Sequence, residues 1–453
     1  MKLTEQQVTD AADIAERWIR LRAVMQDVPG VSYGITHAGR TVRLGALGVS
    51  DLDAGRPATP DDGTCYRVAS ISKTVTATLT MQLVERGRLR LDDPVSAHLP
   101  WLRSALPDGP VTIRHLLTHS GGIIRDGSNA WGDHDFPDPQ AFRREVRERA
   151  TFGPPSTTFR YSNVAYALLG EILEATTGRP FRDLVRRRIV RPLGLTATGS
   201  TLVPGLRSRL ATGYYPRRPG EPRRQTQPTE ARAFEPAGGL ISNVPDLLAY
   251  QQAHMAGDRR LLADAGKLEM QRAQWQRREE PHYGLGWMVW SVEGIALSGH
   301  SGGYPGFTTK IAFAPALGVA TAVLTNAIAA VSGEAVDVVF HTIGRVKALW
   351  DDAGETGHGH SRRSVARFVG IYRGDWGELI VGRVNRSLVL VDPETTTPLK
   401  DAARLSPRGR RSFLIVENDD FGFLGEVVSF VLDRRGRSTA LRYGPHTLVR
   451  ADV

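Results

Sequence analysis

The sequence predicts an α+β protein. An antiparallel sheet, assembled from both ends of a long first domain, faces a helical middle, and a small all-β domain follows. Three observations predict this. Strand-like segments cluster near residues 30–50 and again near 282–325, and the segments between them carry helical apolar spacing broken by Gly and Pro. A polar, Gly-rich stretch, DDAGETGHGHSRR at 351–363, breaks the composition and reads as a linker. Beyond it, short alternating apolar runs recur with a turn every eight to twelve residues.

The elements follow in order. MKLTEQQVTDAADIAERW opens as an amphipathic helix with a capping box between Thr4 and Gln7, and Val8, Ala11, Ala15 and Trp18 lie on one side. GVSYGITHAG and RTVRLGALGVS read as two strands around the turn HAGR. VASISKTVTATLTMQLVERGRL is helical from about Ser70, with Val75, Leu79 and Leu83 on its apolar face. TIRHLLTH and NVAYALLGEILEATTG are helices of the middle segment. YGLGWMVWSV and GIALSGH restore strand character, TKIAFAP and GVATAVLTN form a hairpin over PALG, and GEAVDVVFHTIGRVKALW closes the domain as a helix. The expected boundaries are a first domain at 1–350, the linker at 351–363 and a β domain at 364–453. The β domain, with strands ELIVGR, SLVLV, SFLIVE, VVSFVLD and ALRYG, reads as a small barrel or sandwich.

Bulk properties exclude several classes. No apolar run approaches the ~18–20 residues of a membrane span. The N-terminal helix lacks the apolar core and cleavage site of a signal peptide, so the expected location is cytoplasmic, with no membrane partner. A single cysteine, Cys65, rules out an internal disulfide and offers no metal cluster. The net charge of +10 is spread widely, its densest patch being RRPGEPRR at 217–224, a Pro-punctuated surface loop. Without an aromatic-rich basic motif to stack bases, this charge reads as a solvated surface, and no nucleic-acid partner is expected.

One lysine stands out. The chain has 52 Arg against 6 Lys, and within its first 266 residues the only lysines are Lys2 and Lys73. Arg supplies charge as well as Lys does, but only Lys can be tuned to give up its proton near neutral pH. Ser70 and Lys73, three apart at a helix start, lie on one face within hydrogen-bond reach. A serine hydroxyl needs a neighbouring base to become a nucleophile, and burial beside positive charge makes an amine such a base. The helix N-terminus favours negative charge developing on Ser70. Ser72, about 200° around the helix, is the poorer candidate.

Two further elements carry polar groups of the right kind. In FRYSNVAYALLG, Tyr161 and Asn163 precede an apolar helix. A Tyr161 phenolate of lowered pKa would share the base role with Lys73, and the Asn163 amide would hold a substrate carbonyl and Lys73. The bland alternative is a helix cap, with Asn163 at or near the N-cap and Tyr161 packed beneath it. In GHSGGYPGF, at 299–307, a Gly-rich turn lets backbone N–H groups approach a ligand, and His300 would contact substrate or donate a proton. HSGG also occurs at 119–122, after TIRHLLTH, where Gly121 or Gly122 reads as a left-handed helix cap.

In this order and at these separations, the three elements resemble the serine β-lactamase and penicillin-binding protein superfamily, with its Ser-x-x-Lys, Ser-Asp-Asn and Lys-Thr-Gly motifs. The middle motif here, Tyr161-Ser162-Asn163, is the form seen in class C β-lactamases, D-aminopeptidases and family VIII esterases. The resemblance spans about residues 5–350 and extends to TIRHLLTHSGGI, LDDP, VRPLGL and AGGLISNVPDLLAY. It implies a β-lactamase/transpeptidase-like fold, an antiparallel sheet flanked by helices plus a helical subdomain. It also implies roles: Ser70 as acylated nucleophile, Lys73 with Tyr161 as base, Asn163 positioning substrate, and the N–H groups of Ser70 and Gly303 as oxyanion hole. The C-terminal segment resembles the lipocalin-like domains of some D-aminopeptidase relatives, which implies a small barrel. About 90 residues are expected to fill their own interior, leaving the barrel a structural or cleft-shaping part.

The departure is the third motif, His300-Ser301-Gly302 in place of Lys-Thr-Gly. A permanent cation for a substrate carboxylate becomes an imidazole, mostly neutral at pH 7. The expectation is therefore a metal-free, cofactor-free serine hydrolase of a small-molecule ester, amide or peptide. Esterase comes first, then D-amino-acid or D-peptide aminopeptidase or amidase, then β-lactamase. A sensing module that acylates once without turnover is the non-enzyme alternative. The remaining candidates read as structural. His115 and His119 have zinc-like spacing but no HExxH glutamate, His358 and His360 fall in the linker, and Asp92-Asp93-Pro94 reads as a capping turn. Trp287 reads as core, with Tyr283 in position for the pocket rim.

Overall fold

The capping box forms as read: the Gln7 N–H donates to Thr4 Oγ1 at 3.2 Å and the Thr4 N–H to Gln7 Oε1 at 2.8 Å. It starts helix α1, Glu5–Met25, whose Val8, Ala11, Ala15 and Trp18 are all buried. The computed structural model describes residues 3–451 apart from positions 62, 107–108, 128–134, 150, 152, 201–203, 330, 357–361, 376, 401 and 418–423.

The early strands are β1 (Gly30–His37), β2 (Arg40–Asp51) and β3 (Arg56–Pro57), and a short β4 (Tyr66–Arg67) pairs with β5 (Ile241–Ser242) apart from the main sheet. The late strands are β6 (His282–Tyr283), β7 (Met288–Val292), β8 (Ile295–Tyr304), β9 (Phe307–Ala314) and β10 (Val319–Thr325). Together they form one antiparallel sheet ordered β3-β2-β1-β10-β9-β8-β7-β6. The two ends of the domain meet where β1 pairs with β10, from Val31↔Thr325 to His37↔Val319. YGLGWMVWSV, expected as one strand, is interrupted between β6 and β7. Gly286 there takes φ +80° and leaves no room for a Cβ against Ala77.

Alternation along the strands separates two apolar layers. On one face Val31, Tyr33, Ala312 and Val323 pack with α1 and the helix Val331–Thr356. On the other, Ile311, Phe313, Ala320 and Leu324 pack with α2 (Ser72–Glu85) and the helices Asn163–Thr177 and Val244–Gln252. Trp287 is fully buried in this second layer, as read.

The closing helix, expected to end at Trp350, continues to Thr356, and another short helix covers Arg362–Ala366. Most of the segment read as a linker is therefore helical, and the rest, with His358 and His360, lies outside the described residues. Glycine in that stretch did not stop a helix already propagating from a buried, apolar N-terminal portion. Eight described strands between Gly370 and Ala451 then close into an antiparallel barrel, not a sandwich. Three of these, at 370–374, 403–407 and 446–451, escaped the pattern because they are short and, in the first two, carry a terminal Gly or Pro. The interior is filled by Phe368, Tyr372, Phe413, Phe430 and neighbouring aliphatics, the Phe368 and Phe430 ring centres lying 4.5 Å apart.

The barrel docks on α1. Trp18 Nε1 donates to the Thr395 carbonyl at 2.8 Å, and the buried Asp10 carboxylate accepts from Arg383 at 3.2 Å and the Asn385 N–H at 2.9 Å. Ile371, Ile380, Val384 and Val389 complete that layer. This is the face of the sheet opposite α2, so among the described residues the barrel does not shape the cleft at Ser70. No helix among the described residues is long and apolar enough to cross a membrane.

Candidate active site

Ser70 sits in a tight turn rather than in the first turn of an α-helix. Residues Ala69–Ile71 form a 3-10 turn and α2 begins at Ser72. Ala69 takes φ +50°, a strained value for a residue with a Cβ. Ser72, the discarded nucleophile, holds this turn: its Oγ donates to the Ala69 carbonyl at 2.6 Å and accepts the Leu240 N–H at 3.0 Å. The neighbouring sheet supports it as well, with Thr309 Oγ1 donating to the Val68 carbonyl at 3.2 Å. A Cβ on Gly302 would collide with that carbonyl and with Thr309, so glycine is required for β8 to press against the turn. The tighter 3-10 winding brings side chains three apart nearly into line, and Lys73 Nζ lies 3.1 Å from Ser70 Oγ.

Lys73 is fully buried with three partners: Ser70 Oγ, Asn163 Oδ1 at 2.6 Å and the Ala237 carbonyl at 2.7 Å. Burial pushes its pKa well below the usual lysine value, Asp126 opposes that shift and Arg125 adds to it. A neutral amine has two N–H donors and one lone pair. The two pure acceptors, Asn163 Oδ1 and Ala237 O, take the donors, which leaves the lone pair for the Ser70 hydroxyl proton.

Tyr161 departs from expectation. Its hydroxyl is hydrogen-bonded to Ser70, but burial drives its pKa above the ordinary phenol value, against the opposing pull of that bond and of Arg125. Tyr161 is therefore a phenol at neutral pH, not the phenolate of lowered pKa read from the sequence. The cap is also corrected. Ser162 is the N-cap of the helix Asn163–Thr177, its Oγ accepting the Ala165 N–H at 2.9 Å and donating to the Ile124 carbonyl at 2.6 Å. Asn163, at the first helical position, is left free to bridge Lys73 through Oδ1 and Asp126 through Nδ2.

His300 does not reach the cleft wall. It is 1% exposed, its Nδ1 bonds to the Ser301 carbonyl at 2.6 Å, and its Nε2 lies 3.0 Å from Tyr283 Oη. A carbonyl can only accept, so the proton is on Nδ1 and Nε2 accepts from the tyrosine. Burial lowers the His300 pKa to about 3, with Lys73 adding and the Ser301 bond opposing. Tyr283, expected at the rim, is likewise buried. What β8 offers the cleft is Ser301 and Gly303, both exposed. The β7–β8 ladder ends at Met288↔Gly299, so beyond it β8 presents an edge without a β7 partner. Around Gly303 a Cβ would meet nothing within 4 Å.

Three contributors were missed. His119, from the HSGG copy read as a cap, takes the left-handed conformation itself (φ +59°), while Gly122 has φ +65° further on. Its Nδ1 accepts the Ser162 N–H at 3.0 Å and its ring lies 4.3 Å from that of Tyr161, so it positions the middle motif from behind. Burial holds its pKa well below the ordinary histidine value, with Lys73 adding. The other two are Arg125 and Asp126, which line the cleft with Ser70, Tyr161, Asn163, Met288, Ser301 and Gly303 in a space of about 470 Å³. No motif marks them, since a loop brings them there. His115 serves its own helix through a box with Thr112; Asp93 accepts the Arg90 N–H within its turn at 2.8 Å, while the helix that follows has Pro94 as N-cap and no side-chain cap, so the turn is structural but does not cap a helix. The Arg217–Arg223 loop faces Asp27 and borders a different depression. Among the described residues, no group of three His, Cys, Asp or Glu is placed to hold a metal.

The family model described as Beta-lactamase matches residues 14–336. The chain is 30% identical over 338 residues to penicillin-binding protein 4 of Amycolatopsis lactamdurans, covering 70% of this chain and 85% of that one. It is 30% identical over 374 residues to esterase EstB of Burkholderia gladioli, covering 70% and 91%. Among solved structures, the octameric penicillin-binding protein homologue from Pyrococcus abyssi matches at TM-score 0.64 and 24% identity, covering 96% of this chain and 99% of that one. At that identity it shows the fold, here over nearly the whole chain.

Proposed function

This chain belongs to the beta-lactamase family of serine hydrolases, and from that premise we propose that it cleaves an ester or amide through an acyl-enzyme on Ser70, with esters favoured. The observation that carries the reading is the Lys73 amine, fully buried, spent on two acceptors and left with its lone pair 3.1 Å from Ser70 Oγ. Lys73 takes the Ser70 proton as Oγ bonds to the substrate carbonyl carbon. The oxyanion forms against the N–H groups of Ser70 and Gly303, where losing one donor costs roughly 10²–10³ in rate. The ammonium returns the proton to the leaving group, with the Tyr161 phenol as relay, since a phenol can give one proton as it receives another. Water then repeats the sequence on the acyl-enzyme.

Esters rank first for two reasons. The third-motif cation that would hold the carboxylate of a β-lactam or a terminal D-Ala is replaced by His300, which is uncharged and turned away from the cleft. One relative is also named as an esterase. On this reading residues 1–350 form the hydrolase domain and 364–453 a barrel that braces α1.

The test is a fluorophosphonate probe read by intact mass, with Ser70→Ala as control, followed by turnover of short acyl esters, D-amino-acid amides and β-lactams. Wild type gains one adduct, the variant none, and esters turn over fastest. Benzylpenicillin as the fastest substrate would overturn the ester reading. Labelling that persists in Ser70→Ala would overturn the nucleophile.

A further inference from the structure

The cleft beside Ser70 contains a guanidinium whose forked end is unused. The Arg125 main chain is fixed, because its carbonyl accepts the N–H of Asn163 at 2.8 Å and of Val164 at 3.2 Å. Its side chain is aimed by two contacts: Nε donates to Asp126 Oδ2 at 3.0 Å, and Cζ lies 5.7 Å from the centre of the Tyr161 ring. Among the described residues nothing pairs with its two terminal nitrogens, and the side chain is 64% exposed.

Its neighbour Asp126 is in the opposite condition. One carboxylate oxygen takes Asn163 Nδ2 and the other takes Arg125 Nε. An ammonium entering the cleft would meet a carboxylate whose charge is already paired with Arg125 and whose oxygens each already accept one bond. A carboxylate would meet free, parallel N–H groups in the bidentate geometry that guanidinium favours. The other basic groups nearby are spent. Lys73 is buried on three partners, and both His300 nitrogens are tied to Ser301 and Tyr283. Arg125 is thus the one described cation lining the cleft.

We propose that Arg125 is a specificity-determining residue that binds a carboxylate of the substrate, so that carboxylate recognition has moved from the third motif on β8 to the opposite wall. The inference rests on Ser70 as the acylated nucleophile and names the substrate class for that site: acidic esters or amides whose carboxylate lies about one side chain's length from the scissile carbonyl.

Two matched pairs test it, at a pH where rates no longer vary. The acyl arm compares 4-nitrophenyl hydrogen glutarate with its neutral methyl ester. The leaving-group arm compares 4-butyryloxybenzoate with 4-butyryloxybenzamide. In one arm wild type should favour the acid in kcat/KM by about ten- to a hundredfold, the scale of a charge-assisted pair. Arg125→Gln should bring that ratio to about one, and Arg125→Lys should leave an intermediate ratio because charge remains but the fork is lost. Equal rates in both arms, a ratio that survives Arg125→Gln, or faster turnover of a D-alanyl ester than of either acid would overturn the proposal. The neutral esters are the internal control, compared with Ser70→Ala. Turnover without preference overturns the Arg125 role alone, whereas loss of all turnover and labelling overturns the Ser70 reading and this role together.

Discussion

Replacing Lys73 with methionine tests the centre of the mechanism while nearly preserving side-chain length. Three hydrogen bonds end at Nζ in the native protein. Methionine leaves Asn163 Oδ1 and the Ala237 carbonyl without their donor, at about 1–3 kcal/mol for each stranded acceptor. The thioether has no amine to desolvate, which offsets part of that loss. We expect a net destabilisation of about 1–2 kcal/mol, seen as a Tm lower by roughly 1–3 °C for a domain of this size. The chemical loss should be larger. Removing a positioned base costs about 10²–10⁴ in rate, or roughly 3–5 kcal/mol of barrier. The assay is kcat/KM on 4-nitrophenyl butyrate together with the rate of fluorophosphonate labelling, on protein shown to be folded by its melt. Lys73→Arg separates charge from basicity, because arginine keeps the cation but cannot accept the Ser70 proton. Both variants should lose rate to a similar extent. Labelling of Lys73→Met within about threefold of wild type, or a Lys73→Arg variant that retains activity, would refute the base assignment.

Other expectations follow from the same geometry. Gly302→Ala drives a Cβ into the Val68 carbonyl behind Ser70 and should lower both Tm and labelling rate, at about 1–3 kcal/mol for overpacking, whereas Gly303→Ala should leave the Tm unchanged; thermal melts decide it, and equal Tm losses would contradict the placement of β8. With the His300 pKa near 3, its imidazole should not titrate between about pH 5 and 8, so His300→Gln should retain the acid limb of the kcat/KM profile; its disappearance would assign the limb to His300. Stability should carry the same sign as that limb. The Lys73 pKa is depressed on folding, so the unfolded chain binds the extra proton and this group's contribution to stability rises with pH between its folded and unfolded pKa values; denaturant melts across that window, compared with Lys73→Met, would show it. Asp10→Ala leaves the Asn385 N–H without its acceptor and Arg383 with only Asp13, at 3.9 Å, and should loosen the barrel from α1, read as faster limited proteolysis between the two with Ser70 labelling retained.

What was legible in the sequence, and what was not, divides along physical lines. The capping box at Thr4 and the strands β1 and β10 follow from local patterns, and the clustering of strands at both ends of the first domain predicted that they share one sheet. Ser70, Lys73, Tyr161 and Asn163 were legible as residues because their chemistry is written into short spacings, and the structure brings all four together. Their states were not. Tyr161 becomes a phenol because helices and rings from distant segments enclose it, and His300 turns inward because Tyr283, 17 residues away, offers its hydroxyl. His119 was hidden by its resemblance to an ordinary helix end. Arg125 and Asp126 were invisible because a loop, not a motif, sets them against Asn163. The helix that overran the expected linker was missed because Gly-rich composition was read without the buried helix feeding into it.

The two residues the sequence did not mark also bear on Lys73, with opposite signs. Asp126 favours the ammonium and Arg125 disfavours it, each acting on an amine whose pKa is already lowered by burial. Arg125→Gln should therefore raise the Lys73 pKa and move the acid limb of kcat/KM to higher pH, while Asp126→Asn should move it to lower pH. The shifts should be the same for neutral and anionic esters, because they belong to the enzyme rather than to the substrate. Carboxylate recognition, by contrast, is read as a ratio between matched substrates on the plateau, where Lys73 is neutral in every variant. The two roles of Arg125 are thus experimentally separable. If both substitutions moved the limb in the same direction, the electrostatic account of Lys73 would be wrong; if neither moved it, the lowered pKa would come from burial alone.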